Sequence, residues 1–168
     1  MRKRRSKKRL TIPAMLVSAL IAWLSYSAQD GFVTKVVDGD TIHVGKEKIR
    51  LIGINTPEIA HQGQPTQCFG LEAKEFLESK VMNKKVVLEN DPQTDEVDKY
   101  GRSLRYVSVD GELINRELVR QGYAFAYTRF KAMRRDEFKQ LENEARAAKR
   151  GLWAVCNVTC KNDYCRTQ

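Results

Sequence analysis

The chain has 168 residues, 42% hydrophobic and 8% aromatic, with 30 Lys and Arg against 21 Asp and Glu. That composition excludes a disordered polypeptide, and four cysteines are too few for a fold built on disulfides. Seven of the basic residues fall within residues 1–9, so the rest carries 23 basic against 21 acidic, and the formal charge of +9 is no argument for nucleic acid.

The basic block is followed by residues 10–24, 15 positions without a charge, and then by the small residues Ser25, Ser27 and Ala28. Basic, apolar and small in that order is the layout of a secretory signal over residues 1–28. Extended to Ala28 the uncharged stretch spans 19 residues, so an N-terminal membrane anchor is the second reading, with Pro13 counting against it. Positive charge stays inside, so either reading places the body outside the cytoplasm. It is secreted or periplasmic if the segment is removed, and membrane-anchored facing outward if it is kept.

Residues 32–37 are β-rich and stop at Asp38-Gly39-Asp40. A strand resumes over 41–44. Residues 49–54, apolar but for Arg50, read as one strand buried on both faces, ended by Asn55-Thr56-Pro57. Residues 71–82 have helical spacing, with Leu71, Ala73, Phe76, Leu77 and Val81 toward the core. Strands follow at 86–88 and 104–109, separated by the polar loop 91–101. A short helix over 113–119 is stopped by Gly122. Phe138, Leu141, Ala145 and Ala148 space a last helix that Lys149, Arg150 and Gly151 close. Five short strands with a helix after the third and two helices at the end fit an α+β fold, a five-stranded OB-fold β-barrel with three helices.

Cys68, Cys156, Cys160 and Cys165 all follow the apolar segment, and an even count in an exported chain reads as two disulfides with three possible connectivities. Three of them crowd the tail, 154–168, so at most one bridge closes within it and Cys68 reaches across. Such a long-loop bridge is worth about 4 kcal/mol in the chain-entropy view. No C-x2-C pair is present, which argues against zinc.

Four polar features then fall at strand ends. Asp38-Gly39-Asp40-Thr41 alone is a turn. Arg50 interrupts a strand suited to burial, and a buried guanidinium needs a partner or a polar pocket. Asn55-Thr56-Pro57-Glu58 alone is a loop with a solvated Glu, and Asp98-Lys99-Tyr100-Gly101-Arg102 a charged turn. Taken together and in this order they resemble the staphylococcal nuclease (thermonuclease-like) family. The run Arg50-Leu51-Ile52-Gly53-Ile54-Asn55-Thr56-Pro57-Glu58 resembles it too, as do Gly70-Leu71-Glu72-Ala73 and Asn115-Arg116-Glu117-Leu118-Val119-Arg120-Gln121-Gly122. The resemblance covers residues 31–153. It implies an OB barrel that hydrolyses DNA and RNA phosphodiesters without sequence preference and leaves 3′-phosphates.

By the same resemblance, Asp40, Asn55 and the backbone carbonyl of Thr56 form a calcium site, and hard oxygen donors suit that ion. Glu58 orients or deprotonates the attacking water, and Arg50 and Arg102 grip the scissile phosphate. Lys99, Tyr100 and Tyr127 lie beside the bound nucleotide. The family usually has Asp where this chain has Asn55, so one full charge is missing and weaker calcium binding is expected. The chemistry suits the residue types. A phosphodiester gains negative charge on attack, and guanidinium forks, which match phosphate oxygens and keep their protons, neutralise it where it develops. The expected partners are DNA and RNA substrates, with no protein partner, membrane contact only through the N-terminal segment, and a monomeric state. His43 and His61 read as structural, and the cysteine tail as a covalent clamp on the last helix. The rival is an OB module that binds nucleic acid without turnover.

Overall fold

The computed structural model describes residues 29–61, 63–161 and 164–168. Segment 1–28, and with it the choice between signal and anchor, lies outside the described residues. Among the described residues no helix is long and apolar enough to cross a membrane. In chain order the elements are β1 (Gln29–Val36), β2 (Thr41–Val44), β3 (Glu47–Leu51), β4 (Ile54–Asn55), α1 (Gly70–Val81), β5 (Lys85–Glu89) and β6 (Ser103–Val109). They continue with β7 (Glu112–Leu113), α2 (Ile114–Arg120), β8 (Phe125–Ala126), α3 (Arg135–Ala147), α4 (Leu152–Val155), β9 (Val158–Lys161) and β10 (Tyr164–Thr167).

Alternation along the strands decides which side chains go inside. β3 buries Ile49 and Leu51 and β5 buries Val86 and Leu88, while in β1 a register shift between Val33 and Lys35 turns both Val33 and Val36 inward. β1 pairs antiparallel with β2 and β5, β2 with β3, and β5 with β6. β3 then runs parallel to β6, matching Ile49 with Ser103, Arg50 with Leu104 and Leu51 with Arg105. That last pairing closes five strands into an OB-type barrel and removes its open edges. Over the barrel, α1 lays down Ala73, Leu77 and Val81, α2 adds Ile114, Leu118 and Val119, and α3 adds Phe138. Each large aliphatic or aromatic side chain so buried contributes about 1.5–3 kcal/mol.

The fold class stands as expected, and two readings within it are corrected. The run 49–54 is not one strand: Gly53 takes φ +74, the chain turns at Ile52–Gly53, and β4 leaves the barrel to pair with β8. Leu71 does not face the core but is 52% exposed. It sits two residues before the buried stripe Ala73, Leu77, Val81, and so on the far side of a helix with 3.6 residues per turn. Among the described residues a fourth helix joins the three expected ones. The chain continues past Gly151 into the single turn of α4, held by Leu152 N–H donating to Gly122 O at 2.9 Å. Cys68 bridges to Cys156, 88 residues away, and Cys160 to Cys165 within the β9–β10 hairpin.

Asn115, fully buried, joins the site-bearing rim to the barrel. Its Oδ1 accepts from Val107 N–H at 2.9 Å, and its Nδ2 donates to Ile52 O at 3.0 Å. Replacing it with Leu strands both backbone groups without water. Asn115→Leu is expected to lower the free energy of unfolding by about 3 kcal/mol, read from urea titration. A loss below about 1 kcal/mol would mean that these bonds do not brace the rim.

Candidate active site

The polar residues singled out at strand ends gather at one end of the barrel. Thr41 pairs with Arg50 across β2–β3, and Arg50 with Leu104 across β3–β6. Asp40, Arg50 and Arg102 are therefore neighbours by register. The turn carrying Asp38 and Asp40 must close tightly on the segment after β4. A Cβ at Gly39 would lie 2.8 Å from the Thr56 side chain and 2.9 Å from Ala73, so only glycine permits the approach.

Asp40 is the hub. It is 6% exposed, and its Oδ2 accepts from Arg50 Nη2 at 2.9 Å, Thr56 N–H at 3.1 Å and the Thr56 hydroxyl at 3.2 Å. Its Oδ1 accepts from the Thr41 hydroxyl at 3.1 Å. Arg50 also donates Nη1 to Leu51 O at 2.7 Å, and its Nη2 lies 3.5 Å from Asn55 Oδ1. Arg102 is held separately. Nε and Nη2 donate to Asp98 Oδ2 at 2.8 and 2.7 Å, while Nη1 reaches the Thr41 hydroxyl at 3.3 Å. Thr41 thus links the two guanidinium–carboxylate pairs.

Glu58 stands beside this set. Its backbone N–H is fixed by Gln67 Oε1 at 3.1 Å, and among the described residues its carboxylate has no hydrogen-bond partner. Burial, then the charge of Asp40, raise its pKa above the ordinary carboxylate value; Arg50, His61 and Arg102 pull it back. One carboxyl group therefore feels both arginines and the acid hub at once. Asp38 is pushed up to about 7, by burial first and by Asp40 second.

Among the described residues no three His, Cys, Asp or Glu side chains group to hold a metal. A cation at this rim would draw on mixed oxygens instead: the Asp40 carboxylate, the Asn55 amide oxygen and the Thr56 carbonyl, with Asp38 adjacent. These are hard oxygen donors from the acidic turn and from the end of β4, and their chemistry fits a hard divalent ion.

A family description, "Staphylococcal nuclease homologue", matches residues 48–155. The thermonuclease of Staphylococcus hyicus is 37% identical over 127 residues, covering 73% of this chain and 74% of that protein. The thermonuclease of Staphylococcus intermedius is 41% identical over 98 residues, 56% of this chain and 57% of that protein. An uncharacterized protein of Methanocaldococcus jannaschii is 37% identical over 152 residues, 76% of this chain and 72% of that protein. The chain belongs to the staphylococcal nuclease family.

Within this family member, the residues expected around a nucleotide fall on two flanks. Tyr100 is 70% exposed, with Lys99 Nζ 4.9 Å and Arg102 Cζ 5.4 Å from its ring centre. Tyr127 lies on the other flank, its N–H bonded to Gly53 O at 2.8 Å and its ring packed edge-on to Phe130 at 5.6 Å. Three groups at the rim escaped sequence reasoning. Asp38 reads as a turn residue in the sequence, although its spacing to Asp40 is a usable signal. His61 acts electrostatically on Glu58, and Tyr164 feels Glu58, Tyr127 and Asp40. Neither carries a local pattern that announces it.

Asp98 offers a test of how Arg102 is held. Burial opposes ionisation of Asp98, but hydrogen bonds from Arg102 N–H, the Arg102 side chain and Tyr100 N–H outweigh it and depress the pKa. A depressed carboxyl stabilises the fold above its unfolded pKa, and the gain disappears as pH falls through the folded value. Asp98→Asn is thus expected to cost about 1 kcal/mol at pH 7 and nothing once both forms are protonated in strong acid. Thermal unfolding at the two pH values reads the difference; a gap that persists in acid would assign the loss to packing.

Proposed function

We propose that this chain is an exported, calcium-dependent nuclease. It hydrolyses phosphodiester bonds of DNA and RNA without sequence preference and leaves 3′-phosphates. The observation that carries the reading is the charge arrangement around Glu58: one partly buried carboxyl group, free of hydrogen-bond partners among the described residues, facing Asp40, Arg50 and Arg102. Family membership and two relatives named thermonuclease support it. Two disulfides support an oxidising compartment.

In this reading Arg50 and Arg102 bind the non-bridging oxygens of the scissile phosphate. Their planar forks match the phosphate, and both are already oriented by carboxylates. Glu58 accepts a proton from a water as its oxygen bonds to phosphorus, and its raised pKa brings it nearer to working pH as a base. The bond from phosphorus to the 5′ oxygen breaks, that oxygen takes up a proton, and the 3′-phosphate remains. Asp40, Asn55 and the Thr56 carbonyl would hold calcium, which supplies further positive charge against the developing negative charge. Specificity for base sequence is not expected, because phosphate contacts carry none.

Incubation of the disulfide-intact chain with plasmid DNA and with RNA, in calcium and then in chelator, tests the activity. Glu58→Gln is expected to lower the rate by about 10²–10⁴ with folding unchanged. Binding without cleavage in millimolar calcium would favour the non-catalytic OB module instead. Asn55→Asp is expected to lower the calcium concentration at half-maximal rate, since ligand charge sets affinity. If it leaves that concentration where it was, residue 55 is not a ligand.

A further inference from the structure

The tail after residue 155 lies outside the family match, and its fold brings it back to the rim. β9 and β10 pair antiparallel, Tyr164 opposite Lys161 and Arg166 opposite Thr159. With the two-residue alternation of strands, Thr159, Lys161, Tyr164 and Arg166 share one face. The hairpin is anchored elsewhere: Cys160 bridges Cys165, Cys156 at its root bridges Cys68, and the buried Thr167 hydroxyl donates to Cys68 O at 2.6 Å. Cys68 follows the segment bearing Glu58, whose N–H is held by Gln67. The bridge therefore ties the hairpin to the wall of the Glu58 pocket.

Two cavities meet along this hairpin. One, of about 370 Å³, is lined by Glu58 and His61 together with Arg166 and Gln168. The other, of about 790 Å³, is lined by Arg129, Lys161, Tyr164, Arg166 and Gln168. Arg166 and Gln168 line both, so the two clefts adjoin at these residues. The larger one is lined by three cationic side chains and no Asp or Glu side chain. Among the described residues none of the three cations makes an ion pair or a side-chain hydrogen bond. Tyr164 borders it with its ring partly exposed. Its phenol is kept un-ionised by burial and then by the charges of Glu58, Tyr127 and Asp40, with Arg166 opposing, so it lies within their reach.

We propose that the disulfide-anchored C-terminal hairpin is a substrate-binding wall, in which Arg129, Lys161 and Arg166 hold phosphates flanking the scissile bond and Tyr164 stacks a base. The occupant is a single polynucleotide strand leaving the pocket of Glu58. Successive phosphates need cations at intervals along a groove, and a stacked base needs a partly exposed ring at its edge. The proposal deepens the nuclease reading and rests on it for the direction of the strand's exit.

The test compares wild type with the triple variant Arg129→Ala/Lys161→Ala/Arg166→Ala, all three positions exposed and unpaired. Binding of a fluorescein-labelled 20-nucleotide oligothymidylate is measured by anisotropy in chelator, across salt concentrations. The triple variant is expected to bind about tenfold more weakly, with the slope of log K against log salt reduced by about 2, three phosphates at about 0.7 each. Tyr164→Ala is expected to weaken binding about tenfold and Tyr164→Phe to restore it, as stacking needs only the ring. In calcium, hydrolysis of a short chromogenic phosphodiester of one nucleoside, too small to reach Arg129 and Lys161, is expected to be unchanged in the double variant Arg129→Ala/Lys161→Ala, while KM for the oligonucleotide rises. Unchanged affinity and salt slope would overturn the proposal, as would equal loss on the short and the long substrate. Loss of binding to phosphatidylglycerol vesicles with oligonucleotide binding intact would overturn it too. A wild type that cleaves neither substrate ends the nuclease reading, and the binding measurement still decides the hairpin.

Discussion

The parallel pairing of β3 with β6 is the constraint on which the rim depends. Arg50 and Arg102 are far apart in sequence and belong to different halves of the barrel. Register places Arg50 beside Leu104, and Arg102, immediately before β6, is two residues from Leu104, at most about 7 Å along the chain. No local preference in either segment brings the guanidiniums together; barrel closure does. Closure in turn depends on the turn at Ile52–Gly53. Ile52 N–H bonds Arg105 O at 3.0 Å, and Asn115 holds Ile52 O from the other side. The same few backbone groups that end β3 therefore fix the spacing of the cationic pair.

Each arginine arrives with its own carboxylate, but the two pairs are not equivalent. Asp40 is buried and shared among Arg50, Thr41 and Thr56, so removing Arg50 leaves a desolvated charge, which is the expensive way to break such a pair. Asp98 sits nearer solvent and serves one partner, with a fixed fork and two backbone N–H donors. In the proposed reading a phosphate at Arg50 therefore competes with a buried carboxylate, whereas at Arg102 it meets Nη1, which is outside the Asp98 fork and donates to the Thr41 hydroxyl. Asp38, beside Asp40 without an arginine of its own in contact, is driven toward neutrality by burial first and by repulsion from Asp40 second.

Sequence made the rim legible where chemistry and chain order coincide. Arg50 in an apolar run is an anomaly that local structure alone leaves unexplained, and the turn at Asp40 and the loop at Glu58 gain meaning from flanking it in that order. It was least informative where tertiary contacts decide. Leu71 satisfies a helical apolar pattern yet stays outside, because the stripe that meets the barrel starts two residues later. Asp91 looks like part of a polar loop, but it is 3% exposed and accepts from the Tyr106 hydroxyl at 2.6 Å and Met133 N–H at 2.7 Å. Cysteine pairing had three solutions until the fold put Cys68 against the end of α4. Tyr164 and Arg166 were invisible as site residues, since nothing in a short tail signals which way its strands return.

Charge shows why the tail matters despite a nearly balanced body. Outside the first nine residues basic and acidic groups almost cancel, so no long-range field gathers a polyanion onto this barrel. At physiological salt, screening over about 8 Å leaves only local arrangements effective. Cations beside the Glu58 pocket then count for more than any total. Arg129, Lys161 and Arg166 are unpaired among the described residues, whereas Arg50, Arg102, Arg105 and Arg120 are each committed to a carboxylate. A flexible tail would lose that advantage to the entropy of ordering it on each encounter. Two disulfides remove most of this cost in advance, which gives the cysteines a role beyond clamping the last helix.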